Sequence, residues 1–180
     1  MQTLTTELTY VEWLRSPQSE RPTEFVDGRA VEVNPPSGRH ILVNKRIASL
    51  LDKHFRSIGL DYMSLFGVGV ETEDEGKIRC RIPDLIVCTA EQASILEDGD
   101  GIFKLGNPPK IVIEILSPST KDADTDEKRR EYRRAEVPEY WIIDPVDGEV
   151  QVMTLASGYQ VRRTTIDALP LTLRVQKGDS

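Results

Sequence analysis

A chain of 180 residues, 38% apolar and 29% charged, is long enough to bury a core without disulfide staples and has ordinary globular composition. Its net charge of −7 argues against attraction of the whole surface to nucleic acid, but leaves room for a local basic face or an acidic, cation-binding cleft. No run of about 18 apolar residues occurs, and the N-terminus lacks a basic start followed by an apolar stretch, so neither a membrane span nor a signal peptide is expected.

Residues 4–15 read as a short helix with Leu8, Val11, Trp13 and Leu14 as its apolar positions. Two extended runs follow, Thr23–Val26 and 29–33. They are split by Asp27-Gly28, a dipeptide suited to the positive φ angles of a tight hairpin turn. Ser37 is placed to cap a helix from 39 to about 57, in which Ile41, Leu42, Ile47, Leu50, Leu51 and Phe55 recur at helical spacing, and Gly59 stops it. Residues 61–89 are strand-like with a break at Asp74-Glu75-Gly76, and 90–109 read as a loop with one short helical turn. Residues 110–116 form a dense apolar run typical of a buried central strand, ended by Pro118. A charged helix is expected over about 122–135. A second hairpin, Glu139–Ile143 with 149–155, turns at Asp147-Gly148, and 159–163 adds a strand. The tail after Lys177 is expected to fray. Cys80 and Cys88 each lie in a β-like run and read as reduced core thiols of a cytoplasmic protein. No repeat, linker or low-complexity segment divides the chain. One domain, 1–180, with a mixed β-sheet and helices on its faces, is the simplest α/β reading.

Glu114 lies inside the most apolar segment. A charge on a strand buried on both faces costs several kcal/mol unless it is paired or bound to a cation. The alternatives are a Glu at an exposed strand end or one paired with a buried Arg. Asp84 follows Pro83, which cannot donate to a sheet ladder and so marks a strand start or bulge; read alone, it could equally be a turn aspartate. Together, an Asp at the head of one strand and a Glu in a buried strand 30 residues further on can converge in adjacent strands. Two such hard oxygen ligands about 4 Å apart suit Mg²⁺, with water and a phosphate completing the octahedron. The backbone carbonyl of Ile115 is a candidate third protein ligand, and Mn²⁺ a substitute metal.

The pattern Pro83-Asp84 … Glu114-Ile115-Leu116 resembles the PD-(D/E)-x-K nuclease superfamily. The longer string running on through Ser117-Pro118-Ser119-Thr120, Lys128 … Tyr132 and Val137-Pro138-Glu139-Tyr140-Trp141-Ile142-Ile143-Asp144-Pro145 resembles one family in particular, small bacterial restriction-endonuclease-like proteins. Glu24-Phe25-Val26-Asp27-Gly28 and Ser37-x-x-His40 match it too, so the likeness covers roughly 20–155. It implies a restriction-endonuclease-like core, a four- or five-stranded mixed sheet flanked by helices, preceded here by the N-terminal β-hairpin.

The superfamily's lysine two residues after the Glu is Leu116 in this chain. The resemblance implies that a lysine of the following helix replaces it. At about 100° per residue, Arg129, Arg130, Arg133 and Arg134 spread over one face, and Lys128 points oppositely, with Tyr132 and Ala135, toward the sheet. A lysine snorkelling at the core edge is the plainer reading of Lys128; Lys121, nearer Glu114 in sequence, is the runner-up. His40 either reaches the metal or a scissile phosphate, or serves the helix start. Glu24 is either an outer metal or water ligand or a hairpin surface charge. The arginine run, interleaved with acids such as Asp126 and Glu131, reads first as a solvated helix face and second as a phosphate-tracking one.

The expected function is Mg²⁺-dependent hydrolysis of DNA phosphodiester bonds. The alternative is a nuclease-derived nucleic-acid-binding or assembly module without turnover, favoured by Leu116 and the acidic surface. Paired carboxylates also occur in glycosidases, but 6% aromatics offer no cluster for sugar stacking. By analogy with the superfamily, a homodimer is expected, with the edge of the 139–155 hairpin carrying Tyr140 and Trp141 as a candidate interface.

Overall fold

In a computed structural model, residues 7–17, 20–97, 99–117 and 123–168 are described. The chain opens with α1 (Tyr10–Arg15), shorter than its apolar spacing predicts. Thr9 starts it, accepting from the Glu12 amide while the Glu12 carboxylate accepts from the Thr9 amide in a capping box. The expected hairpin follows as β1 (Thr23–Val26) and β2 (Arg29–Glu32), with φ of 49° at Asp27 and 76° at Gly28. Ser37 caps α2 (Gly38–Ser57), and Gly59 leaves it at φ 75°. Next come β3 (Tyr62–Leu65), β4 (Gly69–Asp74), β5 (Lys77–Arg81) and β6 (Leu85–Thr89).

Residues 90–109 hold more than the expected loop: α3 (Ala90–Glu97) and β7 (Ile102–Phe103). The α3 helix is only weakly amphipathic, which hid it. It is anchored by Gln92, whose buried amide donates to Asn107 Oδ1 (3.0 Å) and the Pro108 carbonyl (2.8 Å). Then β8 (Ile111–Ile115) leads, through a π-helical turn at Ala123–Glu127, to α4 (Lys128–Arg134). The chain ends its described course with β9 (Glu139–Ile143), β10 (Glu149–Thr154) and β11 (Val161–Thr165).

The strands form two mixed sheets rather than one of four or five strands. One is β2-β1-β5-β4-β7, the other β11-β10-β9-β8-β6-β3. In the six-stranded sheet β8 runs parallel to β9 and antiparallel to β6. Alternation along its strands splits the core. Leu85, Val87, Ile111, Ile113 and Ile115 pack with Ile47, Leu51 and Phe55 of α2. Ile86, Cys88, Val112, Tyr140 and Ile142 face the other way, onto Tyr132 and Ala135 at α4 and Val70 and Phe103 of the five-stranded sheet. Both cysteines are buried and unpaired, and burial pushes their thiols up to about 12 at Cys80 and about 11 at Cys88.

Two expectations are corrected. The 139–155 hairpin offers no exposed edge, because β9 lies between β8 and β10, and β11 covers β10. Tyr140 and Trp141 are core residues, so they are not a subunit interface. No described helix is long and apolar enough to cross a membrane.

The junction of β4, β5 and β7 is tight at Gly69, where an added Cβ would stand 2.8 Å from Ile102 Cγ1 and 3.0 Å from Cys80 Sγ. Gly69→Ala is expected to lower stability by about 1–3 kcal/mol, because it overpacks a closed junction. Urea denaturation reads this directly; an unshifted midpoint would mean that β7 moves aside freely.

Candidate active site

The β6/β8 register pairs Leu85 with Ile113. Continued by one residue, it sets Asp84 opposite Glu114, as Pro83 at the strand start suggested. Parity along β8 puts Glu114 on the face of Val112, toward α4. There the buried Glu114 Oε1 accepts from Lys128 Nζ at 2.8 Å and from the Tyr132 hydroxyl at 3.1 Å. Neither plain reading of Glu114 applies: it is not at an exposed strand end, and the cation at Oε1 is a lysine. Lys128 is buried beside it rather than snorkelling. Burial, and next the charge of Glu114, hold the Tyr132 phenol well above its ordinary range, so it remains a neutral donor.

Asp84 sits where the chain bends into β6. Its Oδ2 accepts from the Ile115 amide at 2.7 Å, which ties it to the residue after Glu114. Its Oδ1 lies 2.7 Å from His40 Nε2. His40 belongs to the first turn of α2, where its amide donates to Ser37 Oγ. From the helix start, its imidazole thus reaches the Asp84 carboxylate. One turn on, Asn44 Nδ2 donates to the Asp84 carbonyl at 2.8 Å.

Glu24 is not a hairpin surface charge. Its Oε1 accepts from the Ile82 amide (3.0 Å) and lies 3.9 Å from Lys128 Nζ, and its Oε2 accepts from Arg81 (3.1 Å). Lys121 falls outside the described residues. Asp84 thus meets His40 and the Ile115 amide, and Glu114 meets Lys128 and Tyr132, with Glu24 beyond Lys128. Among the described residues, no three His, Cys, Asp or Glu side chains group as a metal cage.

The charged helix departs from a simple solvated face. Arg130, Arg133 and Arg134 are exposed, but Glu131 is fully buried. Its carboxylate accepts from Arg81 Nη2 (2.6 Å) and Nε (2.8 Å), from Arg79 and from Thr72 Oγ1 (3.0 Å). Arg130 donates to the Asp126 carbonyl (3.3 Å), and Arg130 and Arg134 both face Asp74. Asn44, Arg79, Arg81 and the burial of Glu131 escaped the sequence reading. A signal existed for three of them. Arg79 and Arg81 alternate onto one face of the strand just before Asp84, and Glu131 is three residues from Lys128 on one helix face.

A solved relative supports the architecture. A crystal structure described as a putative nuclease belonging to DUF820 from Anabaena variabilis ATCC 29413 superposes with a TM-score of 0.68 at 20% identity. The match covers 88% of this chain and 84% of that one, and shows the restriction-endonuclease-like fold. No curated protein matches. A family model described as "Uma2: Putative restriction endonuclease" matches residues 9–178, and by that match the chain belongs to this family.

Proposed function

We propose that the chain is a Mg²⁺-dependent endonuclease that hydrolyses DNA phosphodiester bonds, with Asp84, Glu114 and Lys128 as its catalytic residues. The observation that carries this reading is the buried Glu114, held by Lys128 and set opposite Asp84 by the strand register. The donor set fits the metal. Mg²⁺ is commonly held by one or two carboxylates plus waters and phosphate oxygens rather than by a full protein cage. Asp84, Glu114 and the Ile115 carbonyl would hold it, with Mn²⁺ as a substitute. When bound, the metal supplies charge that polarises the phosphate and lowers the pKa of an attacking water.

The chain's own groups do the rest. The ammonium of Lys128 orients the water or offsets charge that builds on the phosphate oxygens in the transition state. The neutral Tyr132 phenol holds Glu114 in place, and Glu24 gives Lys128 a second, more distant anion. His40 and the Ile115 amide orient the Asp84 carboxylate. The enzyme acts in the cytoplasm as a homodimer whose two sites meet the two DNA strands, through a surface other than the buried Tyr140–Trp141 strand.

Leu116, in place of a strand lysine, favours a second reading, a binding or assembly module without turnover. Calorimetric titration separates the two. Mn²⁺ is expected to bind the wild-type protein and to bind Asp84→Ala far more weakly. No heat of binding with the wild-type protein would favour the module.

A further inference from the structure

Even with the π-helical turn Ala123–Glu127 that runs into it, α4 belongs to a helical segment of only about three turns, which has little stability of its own. Its rotation about its axis must be set from outside, and that rotation decides whether Lys128 meets Glu114. The grip falls on Glu131. Arg81 binds the Glu131 carboxylate as a two-pronged fork, and its remaining nitrogen, Nη1, reaches Glu24 Oε2 at 3.1 Å. Glu24 Oε1 in turn lies 3.9 Å from Lys128 Nζ and takes the amide of Ile82, two residues before Asp84. Arg81 is itself buried, at the end of β5 from which the chain runs through Ile82 and Pro83 to Asp84. One guanidinium therefore joins the helix carrying Lys128, the hairpin carrying Glu24 and the segment carrying Asp84.

We propose that Arg81 is a positioning residue, whose planar fork on Glu131 and third bond to Glu24 fix α4 so that the Lys128 ammonium meets Glu114. It touches no reacting atom. The catalytic part of this inference rests on the proposed role of Lys128; the positioning part does not. Lysine cannot replace this arginine, because a point charge on a flexible stem cannot bridge two carboxylates with the same geometry. Arg79 also binds Glu131, but its other partners are Asp27, Glu127 and Asp74 rather than Glu24.

The test compares wild type, Arg81→Lys, Thr72→Val and Val150→Ala. Thr72→Val removes one hydrogen bond to the Glu131 carboxylate without touching either arginine, and serves if Arg81→Lys does not fold. Val150→Ala opens a cavity in the core on the α2 side and controls for general loss of stability. Acetylation of lysines by an amine-reactive ester is followed by mass spectrometry, with exposed Lys53 and Lys77 as internal standards. Lys128 is expected to react about tenfold faster in Arg81→Lys and about threefold faster in Thr72→Val, as fixed hydrogen bonds are lost. It should stay protected in Val150→Ala. On DNA with Mg²⁺, kcat should fall in Arg81→Lys with KM within about twofold, since only orientation in the transition state changes. Unchanged Lys128 labelling in both Arg81→Lys and Thr72→Val, or equal exposure in Val150→Ala, would overturn the proposal. If the wild-type protein cleaves nothing, the nuclease reading fails, and the labelling still decides whether Arg81 positions Lys128.

Discussion

Lys128→Met is expected to slow Mg²⁺-dependent cleavage by about 10²–10³-fold, the usual cost of removing one preorganised charge or donor from a transition state. Methionine fills much the same volume, so the packing beside Tyr132 survives. The electrostatics do not. Glu114 is left buried with Tyr132 still donating to its Oε1 and without the ammonium that neutralises it. Such a carboxyl takes up a proton more readily. The variant should therefore bind Mn²⁺ in a more pH-dependent way than wild type, since the metal needs the ionised form. Single-turnover cleavage of a short duplex, with circular dichroism as the check on folding, measures the first effect. A variant that folds and cleaves at the wild-type rate would remove Lys128 from the chemistry.

The largest effect on stability is expected from Glu131. Its carboxylate is fully buried between two arginines and a threonine hydroxyl. Breaking a buried ion pair by removing one partner costs about 3–5 kcal/mol, because the other charge stays buried and uncompensated. Arg81 keeps Glu24 and Glu127, and Arg79 keeps Asp27, Glu127 and Asp74, so Glu131→Ala should fall near the lower end, about 3 kcal/mol.

The same network leaves a signature in acid. Burial alone would raise the Glu131 carboxyl, but hydrogen bonds and charge from Arg81 and Arg79 outweigh it and hold the group below its ordinary range. A depressed carboxyl contributes stability that is fully present above its unfolded-chain value of about 4.3 and is lost as pH falls through the lower folded value. The stability gap between wild type and Glu131→Gln should therefore be widest above about pH 4.3 and narrow below it. Chemical denaturation at a series of pH values checks this; a gap that stays constant into acid would mean that Glu131 is not ionised in the folded chain.

Much of this molecule was legible because period and punctuation agree. Asp27-Gly28 and Asp147-Gly148 mark their hairpins, Ser37 marks the start of α2, and the apolar run around Glu114 marks the central strand. Asp84 opposite Glu114 followed from Pro83 as a strand-opening residue. The inward direction of Lys128 followed from helical spacing once the family resemblance pointed to α4. The failure at Glu131 has a plain cause: pattern reading treats a charge as solvent-facing unless apolar neighbours surround it. Glu131 sits amid arginines in sequence, yet its partners lie on β4 and β5, about fifty residues earlier. The edge expected at Tyr140 and Trp141, on analogy with the superfamily, is absent because β9 lies between β8 and β10 and β11 pairs along all five of its residues with β10. The division of the strands into two sheets is a matter of long-range pairing, which no local signal carries.

The most direct test of the central claim uses supercoiled plasmid with wild type, Asp84→Ala and Glu114→Ala, each with Mg²⁺, with Mn²⁺ and with a chelator. The proposed site predicts nicking by the wild-type protein only when a metal is supplied, and none by either folded variant. Nicking by Asp84→Ala or Glu114→Ala at the wild-type rate, or nicking that persists in the chelator, would contradict it.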